Sequence, residues 1–412
     1  MSSCAPETAE TAETPEAAGI AQAVDHEARS ESAPARDRHP VVTALALSAG
    51  TAALVGAEFI PAGVLPGMAA DLGVTEGRAG LTVAATALAG ALTAPTIASL
   101  LPRADRRSVL LSLLVLAILS NLVVASAPSL GIVLAARVLL GIAIAGFWSF
   151  ALSVGVHVTG RAALVSTTVA LGTSTATIIG VPVSSVLGDI IGWRAVFLLI
   201  SALTLVAGGV LWRLLPPVPA QPGAGLAMMR RVLGNRRLVI GVVVIFAAAF
   251  ANFTAYPYIR VAIEAIDASV VSVLLLAWGL GGLVGNLAGG ALSRWLRWAA
   301  AVGPAVLAVS LAFMASTEQT TVLALAVVLW GIGFNMVPVT TQLWVSAIEP
   351  SRVESAVALQ VTAFQVAIMS GAVVGGLLVD HQGPAAAMLL GACVGALAAV
   401  GFASIAVRPR AA

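Results

Sequence analysis

The sequence predicts an all-α membrane protein with twelve transmembrane helices. Hydrophobic residues make up 59% and charged residues 10% of its 412 residues, and the mean hydropathy is +1.01. A water-soluble domain carries about 25% charged residues. Apolar runs of roughly 20 residues, each long enough to cross the ~30 Å hydrocarbon core as a helix, alternate with short polar breaks. The alternating segments of about ten residues that a β-barrel requires are absent from this sequence.

The apolar runs follow one another between residues 41 and 407. The twelve predicted spans are 41–66, 77–101, 107–127, 129–156, 163–187, 194–215, 238–263, 269–292, 298–315, 319–346, 353–379 and 385–407. Residues 1–40 are polar and acidic, and this composition predicts a disordered cytoplasmic tail. The tail has neither the basic start nor the apolar core of a secretory signal, so we expect the first span to direct insertion.

The arginines predict the orientation, because the chain contains no lysine. With both termini in the cytoplasm, seventeen of the 21 arginines fall in cytoplasmic segments, and only Arg78, Arg194 and Arg260 fall outside. Cytoplasmic loops carry an excess of basic residues. We therefore expect a multi-pass protein of the cytoplasmic membrane with both termini inside. Its basic residues reflect topology and do not indicate nucleic-acid binding.

The two halves of the chain match each other at an offset of 191 residues. The offset pairs rare charged residues: Arg103 with Arg294, Arg106 with Arg297, Arg161 with Arg352, and Asp189 with Asp380. Such matches indicate an internal duplication into two pseudo-symmetric six-helix halves. The predicted division is a first half over 41–215, a cytoplasmic linker over 216–237, a second half over 238–407 and a short cytoplasmic tail over 408–412.

Two motifs of the first half resemble motifs of drug:proton antiporters in the major facilitator superfamily. In the fourth span, Arg137, Gly141 and Ala145 have the spacing of the R-x-x-x-G-x-x-x-G pattern. The fifth span resembles the glycine- and proline-rich antiporter motif, through Gly172, Gly180, Pro182 and Gly188. Gly371 and Gly375 occupy the eleventh span of the other half. These glycines would permit close helix approach and bending, or serve ordinary membrane packing.

The loop after the second span also resembles a motif of this family, the cytoplasmic D-R-x-G-R-R/K sequence. Its matching residues are Arg103, Asp105, Arg106 and Arg107, while Pro102 stands where the leading acid belongs. Two short sequences, Gly-Phe-Trp-Ser at 146–149 and Gly-Trp-Arg at 192–194, bring the chain nearest to the branch of purine ribonucleoside and sugar efflux proteins. The resemblance implies the major facilitator fold, alternating access, and a substrate site between the halves near the midplane.

Glu58 and Arg137 are charged residues placed deep inside predicted spans. Counted at 1.5 Å per residue, each lies roughly 12 Å below the external end of its helix. The resemblance places both helices beside the cavity of the first half, so an interaction between them is expected, either direct or through water. The offset aligns Glu58 with Ala249 and Arg137 with Val328. The duplicated scaffold therefore requires neither charge, which favours proton coupling or substrate binding over a structural ion pair.

Uncharged polar and aromatic residues inside the spans predict the wall of a substrate cavity. They are Trp148, Asn252, Tyr256, Asn335, Gln342, Gln360 and Gln365. Each alone could instead form a hydrogen bond between helices. Trp193, Trp212, Trp295 and Trp298 stand at predicted helix ends, where tryptophans anchor a protein at the membrane interface.

The chain contains no nucleotide-binding loop, zinc motif or nucleophile elbow, so we expect neither an enzyme nor a cofactor. The first hypothesis is a monomeric exporter of small organic molecules, including drug-like compounds, nucleosides or sugars, driven by proton antiport. A proton-independent facilitator or an importer remains open. A membrane receptor or sensor that no longer transports is the alternative of another class.

Overall fold

The structure, a computed structural model, describes residues 39–219 and 232–405. The tail predicted over 1–40 lies outside these ranges except for its last two residues. Positions 220–231 of the predicted linker and the tail predicted over 408–412 also lie outside them. The divisions predicted at those places stay predictions.

Within the described ranges, twelve long helices form, as the sequence predicts. Their bounds are α1 Pro40–Leu72, α2 Glu76–Thr93, α4 Arg106–Ser126, α5 Leu130–Thr159, α6 Ala162–Ile191, α7 Trp193–Leu214, α8 Arg236–Ala255, α10 Val271–Ala291, α11 Leu296–Ser316, α12 Thr320–Ile348, α13 Val353–Gln382 and α14 Pro384–Ser404. Two short helices, α3 Ile97–Leu100 and α9 Ile259–Glu264, continue α2 and α8.

Most of these helices are long and apolar enough to cross a membrane. Ten helical stretches qualify by length and composition, and one of them, Ala268–Ser316, contains both α10 and α11. The remaining long helix is α2, which starts on Glu76 and Arg78 and is rich in glycine and threonine. The all-helical membrane fold is therefore confirmed.

Prolines interrupt two of the predicted spans. The second span was expected to run unbroken over 77–101, but α2 ends at Thr93 and α3 begins at Ile97. Pro95 lies in the break, because proline has no N–H and disfavours helical geometry at the residue before it. In the seventh span, Pro257 lies in a 3₁₀ turn over Tyr256–Tyr258, between α8 and α9.

The two halves repeat the same pattern of helix packing. In the first half α1 packs against α6 and α4 against α5, and in the second half α8 packs against α13 and α11 against α12. The halves meet along two further pairs, α2 with α13 and α6 with α10. A buried apolar cluster spans this junction and includes Ala62, Val181 and Trp278. This arrangement confirms the two pseudo-symmetric halves.

Several motif glycines lie where helices approach most closely. A Cβ atom added at Gly141 would lie 2.1 Å from the Thr86 carbonyl oxygen, and one at Gly172 would lie 2.4 Å from that of Ser48. In the second half, the corresponding distance from Gly375 to the Thr254 oxygen is 2.0 Å. These are helix-to-helix contacts that only glycine permits. An added Cβ would lie 2.8 Å from its nearest neighbour at Gly188, 3.0 Å at Gly371 and 3.8 Å at Gly180, so these glycines are less tightly packed. Pro182 is buried inside α6.

Gly141→Ala should lower the thermal stability of the protein. The added methyl group would meet the backbone of α2, and overpacking of this kind costs about 1–3 kcal/mol. Gly209→Ala is the matched control, because nothing lies within 4 Å of its added Cβ in α7. Unfolding of the purified variants in detergent, followed by light scattering or dye binding, measures the difference. Equal melting temperatures for the two variants would contradict a close α2–α5 contact.

Candidate functional site

The guanidinium of Arg137 crosses from α5 to two neighbouring helices. Its Nη1 donates to the carbonyl oxygen of Ala57 at 2.8 Å, and its Nη2 donates to that of Glu58 at 3.1 Å. A longer bond from Nε reaches the carbonyl of Thr82 in α2, at 3.4 Å. The side chain is fully buried. Arg137 therefore joins α1, α2 and α5 in the middle of the first half.

A proline in α1 explains why carbonyl oxygens are available there. Pro61 lies inside the helix and has no N–H, so the carbonyl four residues earlier, that of Ala57, loses its usual intrahelical partner. Buried carbonyls need a hydrogen bond where no water reaches them. Arg137 supplies it. The proline and the arginine thus form one structural unit.

Glu58 lies close to Arg137 in its own half and to Tyr256 of the second half. The described residues contain no carboxylate within 4.0 Å of Arg137, so the direct contact between the two residues runs through the Glu58 backbone. The Glu58 carboxyl still interacts electrostatically with Arg137, and also with the Tyr256 phenol of the second half. Its side chain is half-buried. Glu58 therefore lies at the junction of the two halves.

An aromatic cluster of the second half surrounds Tyr256. The Tyr256 ring lies 5.2 Å from that of Trp278 and 5.6 Å from that of Phe253, measured between centroids. From the first half, Phe59 makes an edge contact with Tyr256 at 5.5 Å. Phe334 packs against Phe253. The residue after Glu58 thus contacts the aromatic wall directly.

Hydrogen-bond donors without partners lie in the same cluster. Trp330 Nε1 donates to Asn252 Oδ1 at 2.7 Å, which fixes the orientation of that amide. Within the described residues, Asn252 Nδ2, the Tyr256 hydroxyl and Trp278 Nε1 are buried and have no hydrogen-bond partner. A buried donor without a partner costs about 1–3 kcal/mol. A bound molecule with acceptor atoms would satisfy these groups.

The other predicted cavity residues do not join this cluster through a described contact. Asn335 donates to the Gly331 carbonyl in its own helix, and Gln360 donates to the Thr341 hydroxyl. The Gln360 bond runs between two helices and fits the structural alternative considered for these positions, whereas the Asn335 bond lies within one helix. Gln365 is half-buried against Gly90 at the α2–α13 contact, while Trp148 and Gln342 are exposed.

The loop before α4 holds the segment that follows α7. Asp105 caps α4 through the Ser108 N–H and accepts a 2.6 Å bond from the backbone N–H of Val218. Burial opposes the charged form, but these hydrogen bonds prevail and lower the pKa of Asp105. Arg106 is buried over the Phe150 ring, and Arg107 bonds to the Trp212 carbonyl. Arg103 is exposed.

Sequence reasoning missed an arginine that joins the two halves. Arg260 of α9 donates to the Gly63 carbonyl and the Ser185 hydroxyl at 2.8 and 2.9 Å, and pairs with Asp189 at 2.8 Å. It also pairs with Glu264 in its own helix. These contacts lie on the face that the arginine distribution predicts to be external.

Asp380 makes a matching contact from the second half to the first. Its carboxylate accepts from the Thr75 hydroxyl at 2.7 Å and from the Gly77 N–H at 2.8 Å, at the start of α2. Tyr258 adds a bond to the Ala372 carbonyl, beside Gly80. We call the bonds of Arg260 with the first half and those of Asp380 the external cross-half contacts. Asp189 and Asp380, which match each other at the 191-residue offset, thus both accept hydrogen bonds from the opposite half.

Two pseudo-symmetric bundles that enclose a charged and aromatic centre at their junction define a transporter class of membrane protein. The sequence profile of the Major Facilitator Superfamily matches residues 47–348. The chain belongs to this superfamily, and it is a transporter rather than an enzyme.

Curated relatives point in the same direction. The purine ribonucleoside efflux pump NepI of Salmonella enteritidis is 32% identical over 358 residues, which cover 85% of this chain and 90% of the relative. NepI of Salmonella typhimurium is 32% identical over 341 residues, covering 81% and 85%.

Solved structures support the fold alone. A mutant of the nucleoside transporter NupG superposes with a TM-score of 0.74 at 13% identity, over 89% of this chain and 99% of that one. The human organic anion transporter MFSD10 gives 0.64 at 16% identity, over 88% and 99%.

Proposed function

We propose that this protein exports small organic molecules, foremost purine nucleosides, in exchange for protons. The observation that carries the proposal is the position of half-buried Glu58: its backbone carbonyl accepts a bond from Arg137, and the next residue, Phe59, contacts Tyr256 of the other half. An ionisable group inside a membrane span is costly and is a functional site by default. Its position between the halves links its protonation to their relative movement.

The exchange follows from competition at one carboxyl. Ionised Glu58 accepts hydrogen bonds from substrate hydroxyl groups and is stabilised by the charge of Arg137. A proton arriving from outside neutralises the carboxylate and weakens its hold on the substrate, which leaves. Loss of that proton to the cytoplasm restores the binding form. One proton thus enters for each substrate molecule that leaves.

The aromatic wall favours a planar substrate. Tyr256, Trp278 and Phe253 are buried in this conformation, and movement of the halves would expose their rings beside three buried donors that lack partners among the described residues. A purine base presents a flat surface with ring-nitrogen acceptors, and ribose adds hydroxyl donors for Glu58. The NepI relatives are described as purine ribonucleoside efflux pumps, which agrees with this chemistry. Sugars lack the flat ring, so we rank them, and other drug-like molecules, after nucleosides.

Alternating access is the movement we assign to this exchange. The external cross-half contacts hold the halves together at the predicted external face. Release of substrate outside requires these contacts to break. The arginine distribution favours the cytoplasmic membrane with both termini inside, and we expect a monomer to perform the cycle.

Flux measurements in liposomes test the proposal. The purified protein is reconstituted with an acidic interior, the membrane potential is clamped at zero, and labelled inosine is added outside. A one-to-one exchange with a neutral substrate should accumulate inosine about tenfold per pH unit. Inosine flux without accumulation would establish a facilitator and overturn proton coupling. Inosine binding without flux would favour the receptor alternative.

Arg137→Lys should reduce inosine transport at least tenfold. Lysine keeps the positive charge but lacks the planar fork that reaches Ala57 and Glu58 together. The α1 backbone at Ala57 and Glu58 would lose one or both of these hydrogen bonds. Arg194→Lys is the control, because Arg194 bonds to Asp71 and the Ala127 carbonyl away from Glu58. Unaltered transport in Arg137→Lys would exclude a role for the fork geometry.

A further inference from the structure

The turn between α10 and α11 forms an exposed pocket with two arginines beside it. A cavity of about 310 Å³ is lined by Leu292, Trp295, Trp298, Ala299 and Val302. Four of these lining residues recur at the spacing that places side chains on one face of a helix. Trp295 and Trp298 are 52% and 57% exposed, so the lining forms an open apolar groove along α11.

Each tryptophan of the groove carries an arginine above its ring. The guanidinium carbon of Arg294 lies 4.0 Å from the centroid of Trp295, and that of Arg297 lies 5.0 Å from Trp298. Arg297 also donates to the Ala403 carbonyl. No carboxylate within the described ranges forms an ion pair with either arginine. The groove therefore begins at two positive charges that lack a described counter-charge.

The loop before α4 is the counterpart of this turn in the first half, and the two differ in their acidic residue. At the 191-residue offset, Asp105 corresponds to Leu296, while Ala104 and Arg107 correspond to Trp295 and Trp298. In the first half, Asp105 supplies the negative charge and accepts a hydrogen bond from the backbone N–H of Val218, after α7. The second half has replaced that acid with an apolar residue and added two interfacial tryptophans. The same scaffold thus presents two arginines and two tryptophans with no carboxylate of the described residues within ion-pair distance.

We propose that this groove binds an anionic phospholipid. The lipid phosphate lies between Arg294 and Arg297, and an acyl chain follows the apolar face formed by Trp298, Ala299 and Val302. Basic groups at the membrane interface attract anionic headgroups, and tryptophan favours the same level of the bilayer. The acyl chain distinguishes this ligand from a free phosphate, which would use the arginines alone.

Lipid-dependent thermal stability tests the site. The full-length protein in neutral detergent is titrated with phosphatidylglycerol, or with phosphatidylcholine carrying the same acyl chains. We expect phosphatidylglycerol to raise the melting temperature more than phosphatidylcholine does, and the double variant Arg294→Gln/Arg297→Gln to lose at least half of that difference. Arg294→Lys/Arg297→Lys should retain it, because lysine keeps the charge that binds phosphate.

Two controls make the outcome decisive. Arg236→Gln/Arg237→Gln removes the same charge from the start of α8 and should leave the phosphatidylglycerol effect intact. An equal loss there would show a general attraction to basic residues and overturn the site. Glycerol phosphate without acyl chains should give no stabilisation, and an equal effect would assign a simple anion site instead. Quenching of tryptophan fluorescence by brominated phosphatidylglycerol is the second supporting readout, and it should decrease in the glutamine variant but not in the Arg236→Gln/Arg237→Gln control.

Discussion

Glu58→Gln is expected to abolish accumulation of inosine driven by a pH gradient. The wild-type protein should reach about a tenfold gradient per pH unit, whereas the variant should equilibrate at a ratio near one. Glutamine has nearly the same size and keeps the hydrogen-bonding oxygen, but it cannot gain or lose a proton. The change therefore separates coupling from folding.

The position of Glu58 explains why the loss should be complete. The carboxyl is half-buried at the junction of the halves, and its charge acts on Arg137 and Tyr256 together. Once the side chain is permanently neutral, the state that follows proton binding persists at every pH. Exchange of labelled for unlabelled inosine across the membrane, which needs no net proton movement, should survive in the variant only at higher inosine concentrations, because the neutral side chain holds the substrate more weakly.

Glu318→Gln provides the matched control. Glu318 is an exposed carboxylate in the turn between α11 and α12, so the same chemical change occurs far from Glu58. Its accumulation ratio should equal that of the wild type. Full gradient-driven accumulation by Glu58→Gln in the same vesicles would remove Glu58 from the coupling mechanism.

Arg260→Ala is expected to shift the protein toward a state that is open at the predicted external face. The substitution removes the bonds to Gly63, Ser185 and Asp189, all of which cross between the halves. Truncating one partner of a buried hydrogen-bonded charge pair costs about 2–5 kcal/mol, and the lower end applies here because Asp189 is 55% exposed. Even the lower figure changes the ratio of closed to open molecules about 30-fold.

Distance measurements between spin labels report this shift. Ile190 and Gln319 are exposed on the two halves at that face and can carry labels after Cys4 and Cys393 are replaced by serine. The variant should populate longer distances than the wild type does. Arg194→Ala is the control, because Arg194 makes an ion pair and a carbonyl bond on the same face within one half.

Identical distance distributions in Arg260→Ala and wild type would show that these bonds do not hold the halves together. A shift of the same size in Arg194→Ala would point to general destabilisation. Thermal unfolding of both variants in the same detergent separates these cases, because general destabilisation lowers the melting temperature, whereas opening of the halves lengthens the distances.

Hydropathy was sufficient to predict the fold, because each span must be apolar along its whole length. The offset of 191 residues predicted the duplication, and the equivalent packing of α1 with α6 and of α8 with α13 agrees with it. Proline explains the differences. Pro95 and Pro257 interrupt the second and seventh spans, and hydropathy is insensitive to backbone geometry, so the runs were expected to be continuous.

The candidate site was predictable only in part. Equal depth predicted that Glu58 and Arg137 lie near each other, but the sequence did not show that the contact would run through the backbone. Pro61 was the available signal, because it removes the partner of the Ala57 carbonyl. Trp193 was expected to be an interfacial anchor, yet it is buried and donates to Asp71. Such pairings depend on helix rotation, which hydropathy does not fix.

The junction between the halves has a kinetic consequence. Where α2 meets α13 and α6 meets α10, the close backbone approaches involve Gly77 with Gly376 and Gly279 with Ile178. Glycine has no side chain to withdraw from a neighbouring groove, so separation at these points needs no concerted rotamer change. Opening must also break the external cross-half contacts, and each of these bonds adds to the activation enthalpy. Turnover should accordingly become less temperature-dependent as those bonds are removed one by one.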